Sequence, residues 1–149
     1  MKKILLSLIC LSLFGCSDDK VVSDEMFIGD WKCEVIDYRS TWDKNSFGEF
    51  KKTNEKQTKL LSLKYENNTL YLKASEKEEW EAVSLVEEYN NKTTQEEDDF
   101  LIDKITKSLK KISNNKFIIT YQSEIIVKDD KYNSHNRKLK NEATCTRIK

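Results

Sequence analysis

Hydrophobic residues recur along the chain with two different periods, and these set the first expectation of its fold. Trp31, Cys33 and Val35 alternate with Lys32 and Glu34, the pattern of a strand that buries one face. Leu61, Leu63 and Tyr65 alternate with Ser62 and Lys64, and Leu70-Tyr71-Leu72-Lys73 returns after Glu66-Asn67-Asn68-Thr69. Asparagine tolerates the positive φ of a tight turn, so this pair reads as a hairpin. Phe117, Ile119, Tyr121, Ser123, Ile125 and Val127 alternate with Thr120, Gln122, Glu124 and Lys128 in a long strand, and 139–148 supplies the closing one.

Between the strands the period changes. Leu101, Ile102, Ile105, Leu109 and Ile112 form one stripe at helical spacing, on an otherwise charged segment. Thr93-Thr94-Gln95-Glu96 fits a capping box, Glu96, Glu97, Asp98 and Asp99 suit a helix start, and Lys107, Lys110 and Lys111 suit its end. The expectation is an amphipathic helix over about 94–112. A further strand fits Trp80–Val86, although the flanking Glu76-Lys77-Glu78-Glu79 could equally start a short helix. Residues 39–57 have no clear period and read as a long loop or a ragged strand, and 129–138 is a polar connection. The fold class is therefore mainly β, an antiparallel sheet or barrel with one amphipathic helix, in a single β-rich domain over 26–149.

Composition narrows the function. The 149 residues suffice for one domain with its own core, and 26 basic and 26 acidic side chains are interspersed, so no basic field is available for nucleic acid. Three glycines and one histidine leave little for a phosphate cradle or a His-based metal or catalytic site. There is no Gly-x-Ser-x-Gly and no Cys–His constellation. Glu96 to Asp99 read as acids at a helix start, and Asp129-Asp130 lacks calcium-loop spacing and reads as a solvated turn. No catalytic, cofactor-binding or metal residue is assigned, and a non-enzymatic role is expected.

The beginning of the chain reads as an address. Met1-Lys2-Lys3 precedes an apolar run over 4–14, which Ser17-Asp18-Asp19-Lys20 stops short of the about 20 residues that a spanning helix needs. Leu13-Phe14-Gly15-Cys16 resembles the lipobox of bacterial lipoproteins. That resemblance implies removal of 1–15 as a signal peptide, with diacylglycerol on the Cys16 sulfur and a further acyl chain such as palmitate on its amine. Each buried methylene contributes about 0.8 kcal/mol, so two or more chains anchor stably. An ordinary secretory peptide cut nearby is the alternative. Residues 16–25 then form a polar tether, and Ser17, in place of an inner-membrane Asp, favours the outer membrane of a Gram-negative cell, facing the periplasm or the cell surface.

Four cysteines divide between these segments: Cys10 lies in the removed core, Cys16 is the lipid site, and Cys33 and Cys145 remain for one disulfide in an oxidising compartment. If these two sit directly opposite on antiparallel strands, the same register sets Trp31 opposite Arg147 on the disulfide's face, where the guanidinium can lie over the indole. The first and last strands would then be neighbours, as barrel closure requires.

Gly29-Asp30-Trp31 together with Arg147 resembles the Gly-x-Trp and closing Arg of lipocalin-like barrels. That family implies an up-and-down barrel whose cavity takes small apolar ligands. Two functions are carried forward. One is a lipid-anchored module that binds another envelope protein, of inhibitor, immunity or exclusion type, through 39–57 and 129–138, with Trp42 the tryptophan best placed to be exposed. The other is a lipocalin-like carrier of a small hydrophobic ligand beside Trp31. The expected partners are thus the membrane through Cys16 and an envelope protein or small hydrophobe, with no nucleic acid.

Overall fold

The structure, a computed structural model, describes residues 22–53 and 55–148. The signal segment 1–15, Cys16 and the tether as far as residue 21 lie outside the described residues.

Strand β1 (Gly29–Asp43) is the spine of the sheet. On one edge, β10 (Arg137–Arg147) pairs with it from Trp31 opposite Arg147 to Thr41 opposite Arg137. Its other edge is shared by three strands in turn: β4 (Gln57–Glu66), β3 (Lys51–Lys52) and β2 (Ser46–Phe47). Beyond β4 lie β5 (Thr69–Lys73) and β6 (Glu81–Val83); beyond β10 lie β9 (Lys116–Val127), β8 (Leu101–Ser113) and β7 (Lys92–Glu97). All pairings are antiparallel, and the result is a curled half-barrel in which the two ends of the domain meet mid-sheet. Its two edges, β6 and β7, are consecutive strands joined through the short helix α1 (Leu85–Tyr89).

The tight turns follow the sequence. Asn67 and Asn68 adopt φ of 50° and 60°, the left-handed pair that a two-residue hairpin needs. Lys44, at φ 55°, turns β1 into β2, so most of 39–57 is strand rather than loop. Of the two readings near 80–86, the strand is met by β6, whereas no helix starts at Glu76-Lys77-Glu78-Glu79, which turns and bends ahead of β6; the short helix α1 comes only after it.

The helix expected over 94–112 is not formed; β7, a turn and β8 occupy that stretch. Leu101, Ile105 and Leu109 are spaced by four, which keeps them on one face of a helix and equally on one face of a strand, since four is even. Asp103 and Lys107 fill the intervening inward positions, which hid the alternation. The isoleucines, β-branched, favour the extended chain once β9 offers its long pairing edge. The acids likewise start no helix: Glu96 and Glu97 lie in β7, and Asp98 and Asp99 in the turn that follows. The Asp98 carboxylate accepts from the Phe100 and Leu101 amides at 2.7 and 2.8 Å, and these bonds hold its carboxyl below the usual carboxylate range.

Strand alternation places Trp31, Cys33, Cys145, Phe117, Leu109 and Leu63 on the inner face, where with Phe27 and Leu70 they form the buried core. Phe27 comes from the 3-10 turn Asp24–Phe27 ahead of β1. Leu85, Val86 and Tyr89 of α1 pack against the same core. This core is gathered toward the start of β1, whereas the inner face of its far half carries Asp37, Arg39, Asn141, Tyr121 and Arg137.

Candidate functional site

At the start of β1 the two ends of the domain are locked together. Cys33 and Cys145 are bonded with a Cα–Cα distance of 4.0 Å across a sequence separation of 112. In the chain-entropy picture, closing a loop of that size contributes about 4–5 kcal/mol. Trp31 is fully buried; its Nε1 donates to the Phe27 carbonyl at 2.7 Å, and Phe117 meets its ring edge-on at 4.7 Å. The Arg147 guanidinium lies 4.3 Å from the indole and donates to the carbonyls of Ile28, Met26 and Asn114, the last two at 2.8 and 3.3 Å. One side chain thereby ties the closing strand to the first turn and to the β8–β9 turn. Gly29 makes this possible, because at φ 121° a Cβ would stand 2.7 Å from Arg147 Nη1. The space beside Trp31, where a small hydrophobe was expected, is thus filled by the protein itself.

The far end of the same strand pair is built differently. Residues 39–42 of β1 and the connection 134–137 flank a cleft of about 400 Å³. Asp129 accepts from the Lys131 amide at 3.0 Å and starts the 3-10 turn Asp130–His135, which carries the chain from β9 back to β10. Asn136 then accepts from the Val127 amide through Oδ1 at 2.6 Å, an assignment that the backbone N–H fixes and that leaves Nδ2 as the free end. On the other wall, Ser40 donates to the Gly48 carbonyl at 2.6 Å, and Phe47 packs edge-on to Trp42 at 4.8 Å. Trp42 is therefore half-buried rather than exposed.

The chemistry of this cleft is donation. Among the described residues, Trp42 Nε1 and Asn136 Nδ2 are both buried with no hydrogen-bond partner. Arg39, Arg137 and His135 stand exposed around them, and among the described residues no carboxylate belongs to the lining. Thus the two stretches expected to make contacts, 39–57 and 129–138, converge at one site. That convergence was implicit in the sequence, since the register that sets Cys33 opposite Cys145 also sets Thr41 opposite Arg137.

Among the described residues, no group of three or more His, Cys, Asp or Glu side chains is placed to hold a metal. No helix among them is long and apolar enough to cross a membrane. Comparison with family models, with curated proteins and with solved structures finds no match for this chain.

Proposed function

We propose that the protein is a bacterial cell-envelope lipoprotein, held by acyl chains on Cys16, and that its domain is a non-enzymatic module that binds another envelope protein through the cleft between 39–42 and 134–137. The lipobox-like Leu13-Phe14-Gly15-Cys16 supports the anchor, and Ser17 supports an outer-membrane location.

The observation that carries the binding role is the pair of buried, unpartnered donors in the cleft, Trp42 Nε1 and Asn136 Nδ2. Leaving a buried donor unsatisfied costs about 1–3 kcal/mol; since neither nitrogen meets solvent here, a partner removes that cost by parting the cleft walls and bringing an acceptor. Small ligands are usually enclosed by their sites, whereas Arg39, Thr41, His135 and Arg137 stand in solvent. That geometry suits a protruding carboxylate or main-chain carbonyl of a protein. The filled space beside Trp31 weighs against the carrier reading.

Two measurements test the proposal. The intact mass of protein extracted from the membrane is expected to lack 1–15 and to carry diacylglycerol at Cys16; an unmodified, water-soluble chain would refute the anchor. Replacing both Arg39 and Arg137 by Ala is expected to abolish co-purification of the crosslinked envelope partner without unfolding the domain. Retention of an equal yield would refute the assignment to this cleft.

A further inference from the structure

The outer face at the start of β1 carries a second concavity, of about 640 Å³, whose lining includes Leu60, Trp80 and Ile148 around Asp30, Ser62 and Lys73. Leu60, Ile148 and Trp80 are 59%, 45% and 38% exposed, so these large apolar groups share one groove open to solvent. The polar groups there are settled among themselves: Ser62 donates to the Asp30 carboxylate at 2.6 Å, and the Ile148 amide donates to the Asp30 carbonyl at 2.8 Å. Lys64 and Lys73 hold their ammonium groups 4.8 and 5.9 Å from the Trp80 ring. Glu76 also belongs to the lining, and Lys64 donates to the Glu66 carboxylate at 3.1 Å. Apolar surface, an indole and Lys73 thus stand together, residue types that suit the boundary between acyl chains and headgroups.

The place of the groove in the fold says what covers it. The chain enters the domain at this same end, where Val22 and Met26 pack against the core and Arg147 takes the Met26 and Ile28 carbonyls. From Cys16 to Val22 a fully extended chain reaches at most about 20 Å, so a lipid on Cys16 keeps this end of the domain beside the bilayer. The cleft at Trp42 lies about 40 Å further along β1, at the rise of an extended strand.

We propose that the groove of Leu60, Trp80 and Ile148 rests on the membrane surface, with Lys73 reaching a lipid phosphate, so that the domain stands on the bilayer with its partner cleft directed away. This rests on the reading of Cys16 as the lipid site. The test uses the lipidated chain in vesicles of phosphatidylethanolamine and phosphatidylglycerol with brominated acyl chains. Bromine is expected to quench part of the tryptophan emission, and the Trp80→Phe variant is expected to lose that quenched component while still floating with the vesicles. Floating protein with no quenching, or with equal quenching in the variant, overturns the docking and leaves the anchor standing. Protein that fails to float removes anchor and docking together. A Trp80 that stays open to aqueous iodide on the vesicle, and closes only when an envelope protein is added, assigns the groove to a protein and overturns the proposal.

Discussion

Trp31 and Trp42 lie on one strand, both in sites that remove their indole N–H from water, and they are treated in opposite ways. Trp31 donates to a main-chain carbonyl, lies against Phe117 and under Arg147, and sits beside the disulfide that joins the first strand to the last. Trp42 packs on Phe47, but its N–H meets no acceptor among the described residues, and the neighbouring Asn136 Nδ2 is left in the same condition. Polar groups satisfied within the chain contribute to folding, whereas those left unsatisfied cost stability. The half-barrel thus locks its two termini together at one end of β1 and leaves two buried donors without a partner among the described residues at the other, although an Asp24 carboxylate oxygen is left unpaired at the locked end as well.

The comparison can be broken most forcefully at the ordered end. Replacing Cys33 and Cys145 together by Ala is expected to lower unfolding free energy by about 4–5 kcal/mol in urea titration, and a loss under about 1 kcal/mol would mean the closure is held by other contacts. Gly29→Ala comes next, with an expected cost of about 1–3 kcal/mol, because the new Cβ needs a forbidden φ and meets the Arg147 guanidinium. The two tryptophans give the direct contrast. Trp31→Phe strands the Phe27 carbonyl and is expected to cost about 1–3 kcal/mol, while Trp42→Phe removes an unmet donor and is expected to leave the melting temperature unchanged or raised. Equal losses in the two variants would erase the distinction.

The smallest effect concerns pH. The Phe100 and Leu101 amides hold the Asp98 carboxyl below its usual range, so the charged form is favoured in the folded state. Its contribution is present at neutral pH and is lost as pH falls through that lowered value. Protection of these two amides against hydrogen exchange is therefore expected to fall in acid, and Asp98→Asn is expected to remove that pH dependence.

How much of this was legible follows from what each sequence pattern could encode. Alternation at 31–35, 61–73 and 117–127 specified strands, since a one-residue slip would expose every inward side chain. Pairing of Cys33 with Cys145 set the central register, and with it the meeting of Trp31 and Arg147. The segment 94–112 misled because a spacing of four suits both helix and strand, and only the neighbouring β9 decides between them. Phe27 was not legible as a core residue, since a single aromatic in a short turn carries no period. The groove at Trp80 was hidden for a different reason: Leu60 and Ile148 lie far apart in sequence and meet only because β1 separates their strands.

The division of labour between the two ends is tested most directly by placing a photo-crosslinking residue at Thr41 in one version of the lipidated protein and at Leu60 in another, in the native cell. Thr41 is expected to yield a discrete protein adduct and Leu60 only lipid adducts. A protein adduct from Leu60 with none from Thr41 would contradict the assignment of the two ends.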